Sequence, residues 1–104
     1  MKIQINTDNN IEAKQGMANY FEEVIAGSLD RFSEQITRVE VHLNDENSHK
    51  NGPDDKRCLL EARLEGMQPI AVSHQAESLD KAVNGATDKL KKAIDSALGK
   101  LRSY

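Results

Sequence analysis

In the stretch "ITRVEVHLN", apolar and polar side chains alternate, and this pattern constrains the fold more than any other feature of the chain. Val39, Val41 and Leu43 share one face, and the polar residues between them share the other. A period of two is typical of a β-strand with one buried and one solvated face. Similar runs occur in "KIQIN", "RCLLEARLEG" and "IAVSHQA". The sequence therefore predicts a four-stranded sheet that leaves one face wet.

Two further segments have the apolar spacing of amphipathic helices. The first extends from about Glu12 to Phe32, and the second follows Ser78, a predicted N-cap, to near the C-terminus. The order is strand, helix, three strands, helix, in which the last three strands form an antiparallel meander and the first joins them by a crossover through the first helix. The predicted class is α+β, with both helices on one face of the sheet in a single domain, residues 1–104.

The last helix is more basic than the rest of the chain. The protein has 104 residues and a formal net charge of −3. From Glu77 onward there are six basic and four acidic residues, whereas the first 76 residues carry eight basic and thirteen acidic ones. A global excess of positive charge, the usual mark of a nucleic-acid-binding domain, is therefore missing, and any such binding must depend on a local patch.

Charges of opposite sign are sorted to two sides of this helix, at about 100° per residue. One side, here named the lysine shoulder, carries Lys81, Lys89, Lys92 and Lys100, with small residues between them. The other side, the acidic shoulder, carries Glu77, Asp80, Asp88 and Asp95, together with Lys91 and Arg102. Two interpretations remain open: an ordinary solvated helix whose late lysines favour the helix dipole, or a row of lysines that contacts nucleic-acid phosphates.

Motifs for catalysis or cofactor binding are missing from the sequence. The three histidines are dispersed, and neither a CxxC nor an HxxxH spacing occurs. No GxGxxG, P-loop or GxSxG motif is present. We therefore expect no enzyme activity, no metal or other cofactor and no small-molecule substrate.

The lone cysteine, Cys58, excludes an intramolecular disulfide bond. Lys56 and Arg57 precede it and would favour a reactive thiolate, but its inward position on the third strand favours a buried structural thiol.

No apolar run approaches the roughly 20 residues of a membrane span. The N-terminus has no signal-peptide pattern. We expect a cytoplasmic protein that does not associate with membranes.

The ordered set of segments resembles the ribosome hibernation-promoting factor and ribosome-associated inhibitor family. The resemblance rests on "MKIQINTDNNIE", "ITRVEVHLNDE" and "KRCLLEARLEGMQPIAVSHQAESLDKAVNGATDKLKKAI", and covers nearly the whole chain, at the length of the short form. It implies a β-α-β-β-β-α fold similar to double-stranded-RNA-binding domains. It also implies a monomer that binds ribosomal RNA of the small ribosomal subunit, occupies the channel for messenger and transfer RNA, and inhibits translation under stress.

The resemblance also implies basic binding residues on the last helix and on the sheet. Together with the lysine shoulder, the candidate RNA-binding residues are Lys81, Lys89, Lys91, Lys92, Lys100, Arg38 and Arg63. The tail "DSALGKLRSY" is less basic than in family members that bind tightly. The alternative is therefore a regulatory protein-interaction module of the same fold, with Leu59 on the outer sheet face and the acidic shoulder as its contacts.

Overall fold

The computed structural model describes residues 1–8, 15–45 and 56–102. In chain order the elements are the strand β1 (Lys2–Thr7), the helix α1 (Gln15–Ser28), the 3-10 helix η1 (Asp30–Phe32), the strands β2 (Ile36–Asp45), β3 (Lys56–Leu64) and β4 (Ile70–Ala76), and the helix α2 (Leu79–Arg102). The predicted β-α-β-β-β-α order and the α+β class are confirmed.

The four strands form one sheet in the order β1-β2-β3-β4. β1 pairs in parallel with β2, with Ile3 opposite Val39, while β2–β3 and β3–β4 are antiparallel. A parallel pair requires a crossover connection, which α1 supplies. β1 and β4 are therefore the two edge strands, and the predicted meander occupies β2 to β4.

The apolar residues of the alternating pattern form the core on one face of the sheet. Val39, Val41 and Leu43 have no solvent-exposed surface, and the same holds for Leu60 and Ala62 on β3. Helix residues that pack on this face are also buried, namely Phe21 and Ile25 of α1 and Ala82, Val83, Ala86, Leu90 and Ile94 of α2. Both helices thus cover one face, and the opposite face carries the polar residues.

The prediction of one continuous helix up to Phe32 is wrong. α1 ends at Ser28, and the chain then tightens into η1, in which the Phe32 amide donates to the Leu29 carbonyl at 2.9 Å. Gly27 and Ser28 are weak helix formers at this point, and the 3-10 geometry still buries Leu29 and Phe32. The predicted start of the helix, at Glu12, lies outside the described residues.

α2 begins as the sequence predicts. The Lys81 amide donates to the Ser78 hydroxyl oxygen at 3.2 Å, so Ser78 is an N-cap. The helical spacing predicts an apolar stripe that includes Ala93 and Ala97, with Ile94 at its side; in the structure Ile94 is fully buried, whereas Ala93 and Ala97 are half-buried. Within the described part of the chain, no helix has the length and apolar character to cross a membrane.

Candidate nucleic-acid interface

The lysine shoulder of α2 lies along the edge strand β4. α2 packs over β3 and β4, and the Lys89 ammonium donates a hydrogen bond to the backbone carbonyl oxygen of Ser73 at 2.9 Å. Among the strands that the structure describes, β4 is paired only with β3, so Lys89 satisfies an acceptor on an edge of the sheet. The sorted lysines therefore face outward beside this edge.

The four lysines of this shoulder differ in their partners. Lys81 forms an exposed ion pair with Glu77, four residues earlier in the chain. The hydrogen bond and the positive charge of Lys81 hold the pKa of the Glu77 carboxyl below its usual value. Lys92 and Lys100 are exposed, and neither has an ion pair or hydrogen bond to a side chain or backbone group in the ranges that the structure describes. These two lysines are the most available for an external anion.

Asp95 of the acidic shoulder lies on the other side of α2, where η1 approaches the helix. Asp95 forms an ion pair with Arg31 of η1, whose guanidinium also lies 4.4 Å from the centre of the Phe32 ring. Lys91 is half-buried on this side of α2, next to Asp88 and Asp95 on the helix surface. The two shoulders thus meet at the start of the helix, where Glu77 pairs with Lys81, whereas Asp95 is paired on the other side of the helix and Lys91 lies beside it.

Arg38 and Arg63 lie on the outer face of the sheet, away from the α2 lysines. They are direct cross-strand partners, and Arg38 is also opposite Lys2, so three cations form a row across β1, β2 and β3. Each arginine also has a nearby acid: Arg38 contacts Glu40 at 3.2 Å, and Arg63 contacts Glu61 at 3.5 Å. The structure does not bring these arginines onto the lysine shoulder.

A close contact between His74 and Gly85 escapes prediction from the sequence. The imidazole of His74 on β4 lies against the backbone of Gly85 on α2, so that a Cβ atom at Gly85 would be 2.5 Å from Nε2 and 2.6 Å from Cγ of the ring. The signal in the sequence is a glycine within an otherwise strong helical pattern, four residues before Lys89. The pairing with His74 cannot be read from this signal alone.

The thiol of Cys58 is buried, and its burial disfavours the reactive thiolate form. Its side chain has no exposed surface, and this burial raises the pKa of the thiol to about 12. The prediction of a structural thiol is thus confirmed.

Within residues 1–8, 15–45 and 56–102, no group of three or more His, Cys, Asp or Glu side chains is arranged to hold a metal ion.

Comparison with known proteins agrees with this architecture. The N-terminal domain of Protein Y from Thermus thermophilus superposes with a TM-score of 0.72 at 22% identity, over 90% of this chain and 96% of that one. A ribosomal subunit interface protein from Coxiella burnetii has a TM-score of 0.72 at 17% identity, over 95% of this chain and 99% of the other. No relative was found among curated protein sequences.

A family assignment comes from the sequence itself. Residues 3–102 match the family described as sigma 54 modulation protein / S30EA ribosomal protein. Apart from Lys2, the first residue of β1, the match includes all the strands and helices described above. The chain therefore belongs to this family of ribosome-associated proteins.

Proposed function

We propose that this protein binds the small ribosomal subunit through ribosomal RNA and inhibits translation by occupying the channel for messenger and transfer RNA. The whole chain, residues 1–104, would act as one ribosome-binding domain, as a cytoplasmic monomer that carries out no chemistry. Family membership supports the ribosome as the partner. The names of the two structural neighbours, Protein Y and a ribosomal subunit interface protein, agree with it.

The observation that carries the proposal is the exposed lysine shoulder beside the edge of the sheet. Lys92 and Lys100 project from α2 without partners in the described ranges, and Asp95 of the same helix pairs with Arg31 of η1. Phosphates attract such lysines most strongly within about one Debye length, roughly 10 Å, so a local group of lysines can bind RNA while more distant acids make the whole protein net negative. The net charge of −3 is therefore compatible with a local RNA-binding surface.

Within this surface, the candidate residues have different roles. Lys92 and Lys100 supply free ammonium groups, while Lys89 and Lys81 already donate to Ser73 and Glu77 and retain further N–H donors. Arg38 and Arg63 are proposed as secondary contacts from the outer sheet face. Lys91, on the acidic shoulder, would lie at the margin of the interface.

Sedimentation of the purified protein with ribosomes across a salt series tests the proposal. Binding should weaken as salt increases from roughly 50 to 200 mM, because each phosphate contact releases a counterion. Lys92→Glu should weaken binding about tenfold, the energy of one charge-assisted contact. A protein that ignores ribosomes at low salt would contradict the proposed function.

Lys91→Glu provides a matched control for Lys92→Glu. The two lysines are adjacent in the sequence and the change of charge is identical, but they lie on opposite shoulders of α2. Lys91→Glu should therefore weaken binding less. Equal losses would show that total charge, and not the lysine shoulder, governs the interaction.

Inhibition of a translation reaction by the wild-type protein, reversed by excess transfer RNA, tests occupation of the channel.

A second candidate function is a protein-interaction module of the same fold. Leu59 is a half-buried apolar residue on the polar outer face, opposite His42 on β2 and Ser73 on β4. The nearby arginines already have acidic partners, so this face is suited to contacts other than phosphate. Capture of one non-ribosomal protein, insensitive to nuclease and lost with Leu59→Lys, would favour this function over ribosome binding.

A further inference from the structure

The helix α2 contacts the edge strand β4 at a glycine, Gly85, so no helix side chain separates the two backbones there. His74 is opposite Cys58 in the β3–β4 register, and its half-buried side chain points toward α2. The imidazole fills the space in which a side chain at position 85 would begin, since Nε2 and Cγ lie 2.5 and 2.6 Å from an ideal Cβ at Gly85. Cβ atoms essentially never approach other atoms so closely, so any larger residue at this position must displace the helix or the ring.

The position of Lys89 depends on this contact. Lys89 is one helical turn after Gly85, and Ser73 is the residue before His74 on β4. The Lys89 ammonium reaches the Ser73 carbonyl oxygen at 2.9 Å. The imidazole–glycine contact and the lysine–carbonyl hydrogen bond therefore join the same two elements at adjacent residues. A displacement of α2 away from β4 at Gly85 would lengthen the hydrogen bond.

We propose that the contact between the His74 ring and Gly85 is a positioning device, which fixes the lysine shoulder of α2 against the edge of the sheet. Neither residue touches the RNA. They act through Lys89, and through the rigid helix they also set the height of Lys92 and Lys100 above the sheet edge. This inference rests on the proposed function for its effect on ribosome binding, but the placement of Lys89 can be measured without ribosomes.

The substitution Gly85→Ala tests the device, with Gly99→Ala as the matched control. In an open helical site this change is stabilising, because alanine is the better helix former. Gly99 is such a site, since a Cβ atom added there meets nothing within 4 Å. Gly99→Ala should keep or raise the melting temperature and leave the hydrogen bond between Lys89 and Ser73 in place. Gly85→Ala should lower the melting temperature and weaken ribosome binding about tenfold, measured at a temperature at which circular dichroism shows a folded protein.

A double-mutant cycle separates positioning from general damage. With the ring removed by His74→Ala, the added methyl group has space, so His74→Ala/Gly85→Ala should bind ribosomes as well as His74→Ala alone. This comparison holds even where Gly85→Ala by itself does not fold. An equal loss of affinity from Gly85→Ala in both backgrounds would overturn the proposal.

The reactivity of the Lys89 amine gives a readout that is independent of the ribosome. Acylation followed by mass spectrometry should modify Lys89 more slowly than Lys92 in the wild type, because the Lys89 ammonium is held by Ser73. Gly85→Ala should raise the Lys89 rate toward that of Lys92. Unchanged rates would refute the positioning role, whatever the ribosome assay shows. Wild-type protein that fails to bind ribosomes, while the Lys89 rate responds as expected, would refute the proposed function alone.

Discussion

Arg31 of η1 and Asp95 of α2 form an ion pair that joins the two helical segments on the side away from β4. Asp95 is the acidic residue that interrupts the basic C-terminal part of α2, and in the sequence it argues against phosphate binding. In the fold its charge is offset by Arg31, which approaches it from η1. Asp95 therefore does little to reduce the attraction of the lysine shoulder for phosphate.

Asp95→Asn should leave ribosome affinity within about twofold of the wild type, because the guanidinium of Arg31 already offsets the charge of Asp95. Both side chains of the pair are more than half exposed, so unfolding in denaturant should show a loss of about 0.2–1 kcal/mol. An affinity increase of about tenfold would show that Asp95 opposes RNA binding directly.

Cys58 should not react with a thiol reagent while the protein is folded. Its side chain has no exposed surface, and the reactive thiolate is suppressed by the raised pKa of about 12. At about pH 8, labelling should follow the rate of unfolding and become fast in denaturant. Rapid labelling of the native protein would contradict the buried position of the thiol.

The same thiol should make stability depend on alkaline pH. In the unfolded chain the thiol has its ordinary pKa of 9.0 and loses its proton above that pH, whereas burial raises the pKa of the folded state to about 12. The free energy of unfolding should therefore be constant below pH 9 with respect to this group and fall by about 1.4 kcal/mol per pH unit between pH 9 and about 12. Cys58→Ala should remove this component, and an identical alkaline decline in both proteins would contradict the assignment.

Ser78→Ala should destabilise the protein by about 1 kcal/mol, because the Lys81 amide at the start of α2 loses its acceptor. The denaturant midpoint should decrease without a change of slope. Ser78→Asp is the control, since aspartate can accept the same hydrogen bond and should retain most of the stability. A loss of equal size in both variants would show that the hydroxyl has another role.

Arg38→Met should weaken ribosome binding less than Lys92→Met, measured at the same salt concentration. Arg38 already donates to Gln4 and Glu40, so less of its charge is available to phosphate. Its removal also leaves Glu40 directly opposite Glu61 with one neutralising partner fewer, which should cost about 0.5–1 kcal/mol in unfolding free energy. A larger binding loss for Arg38→Met would place the main RNA contact on the outer sheet face.

Strand and helix patterns of the sequence predict most of this fold, because burial on one face produces the alternation and the helical spacing directly. A local irregularity is harder to predict. Between Ile36 and Arg38 the β2–β3 register shifts, and Thr37 donates from its hydroxyl to the Arg63 carbonyl at 3.0 Å. The shift lets Ile36 point into the core and Arg38 point outward, although only one residue separates them. The hydrophobic pattern alone does not reveal that β2 has one extra residue at this point.

The candidate site is only partly predictable for a different reason. The helical spacing separates lysines from acids on α2, but it does not say which strand lies beside each shoulder. That depends on the strand order, which puts β4 at an edge and brings Ser73 to Lys89. The contact of His74 with Gly85 depends on the height of the helix above the sheet, which side-chain volumes of both elements set together.

The parallel pairing of β1 with β2 has a consequence for the order in which the chain acquires structure. β1 precedes the other elements in the chain, but β2, its one partner among the described strands, follows α1 and η1. The antiparallel strands β2 to β4 and α2 are neighbours in sequence, and contacts between neighbours close at a smaller entropic cost. Folding should therefore start in the C-terminal two thirds, with β1 joining last. In native-state hydrogen exchange, the amides of β1 should open before those of β3.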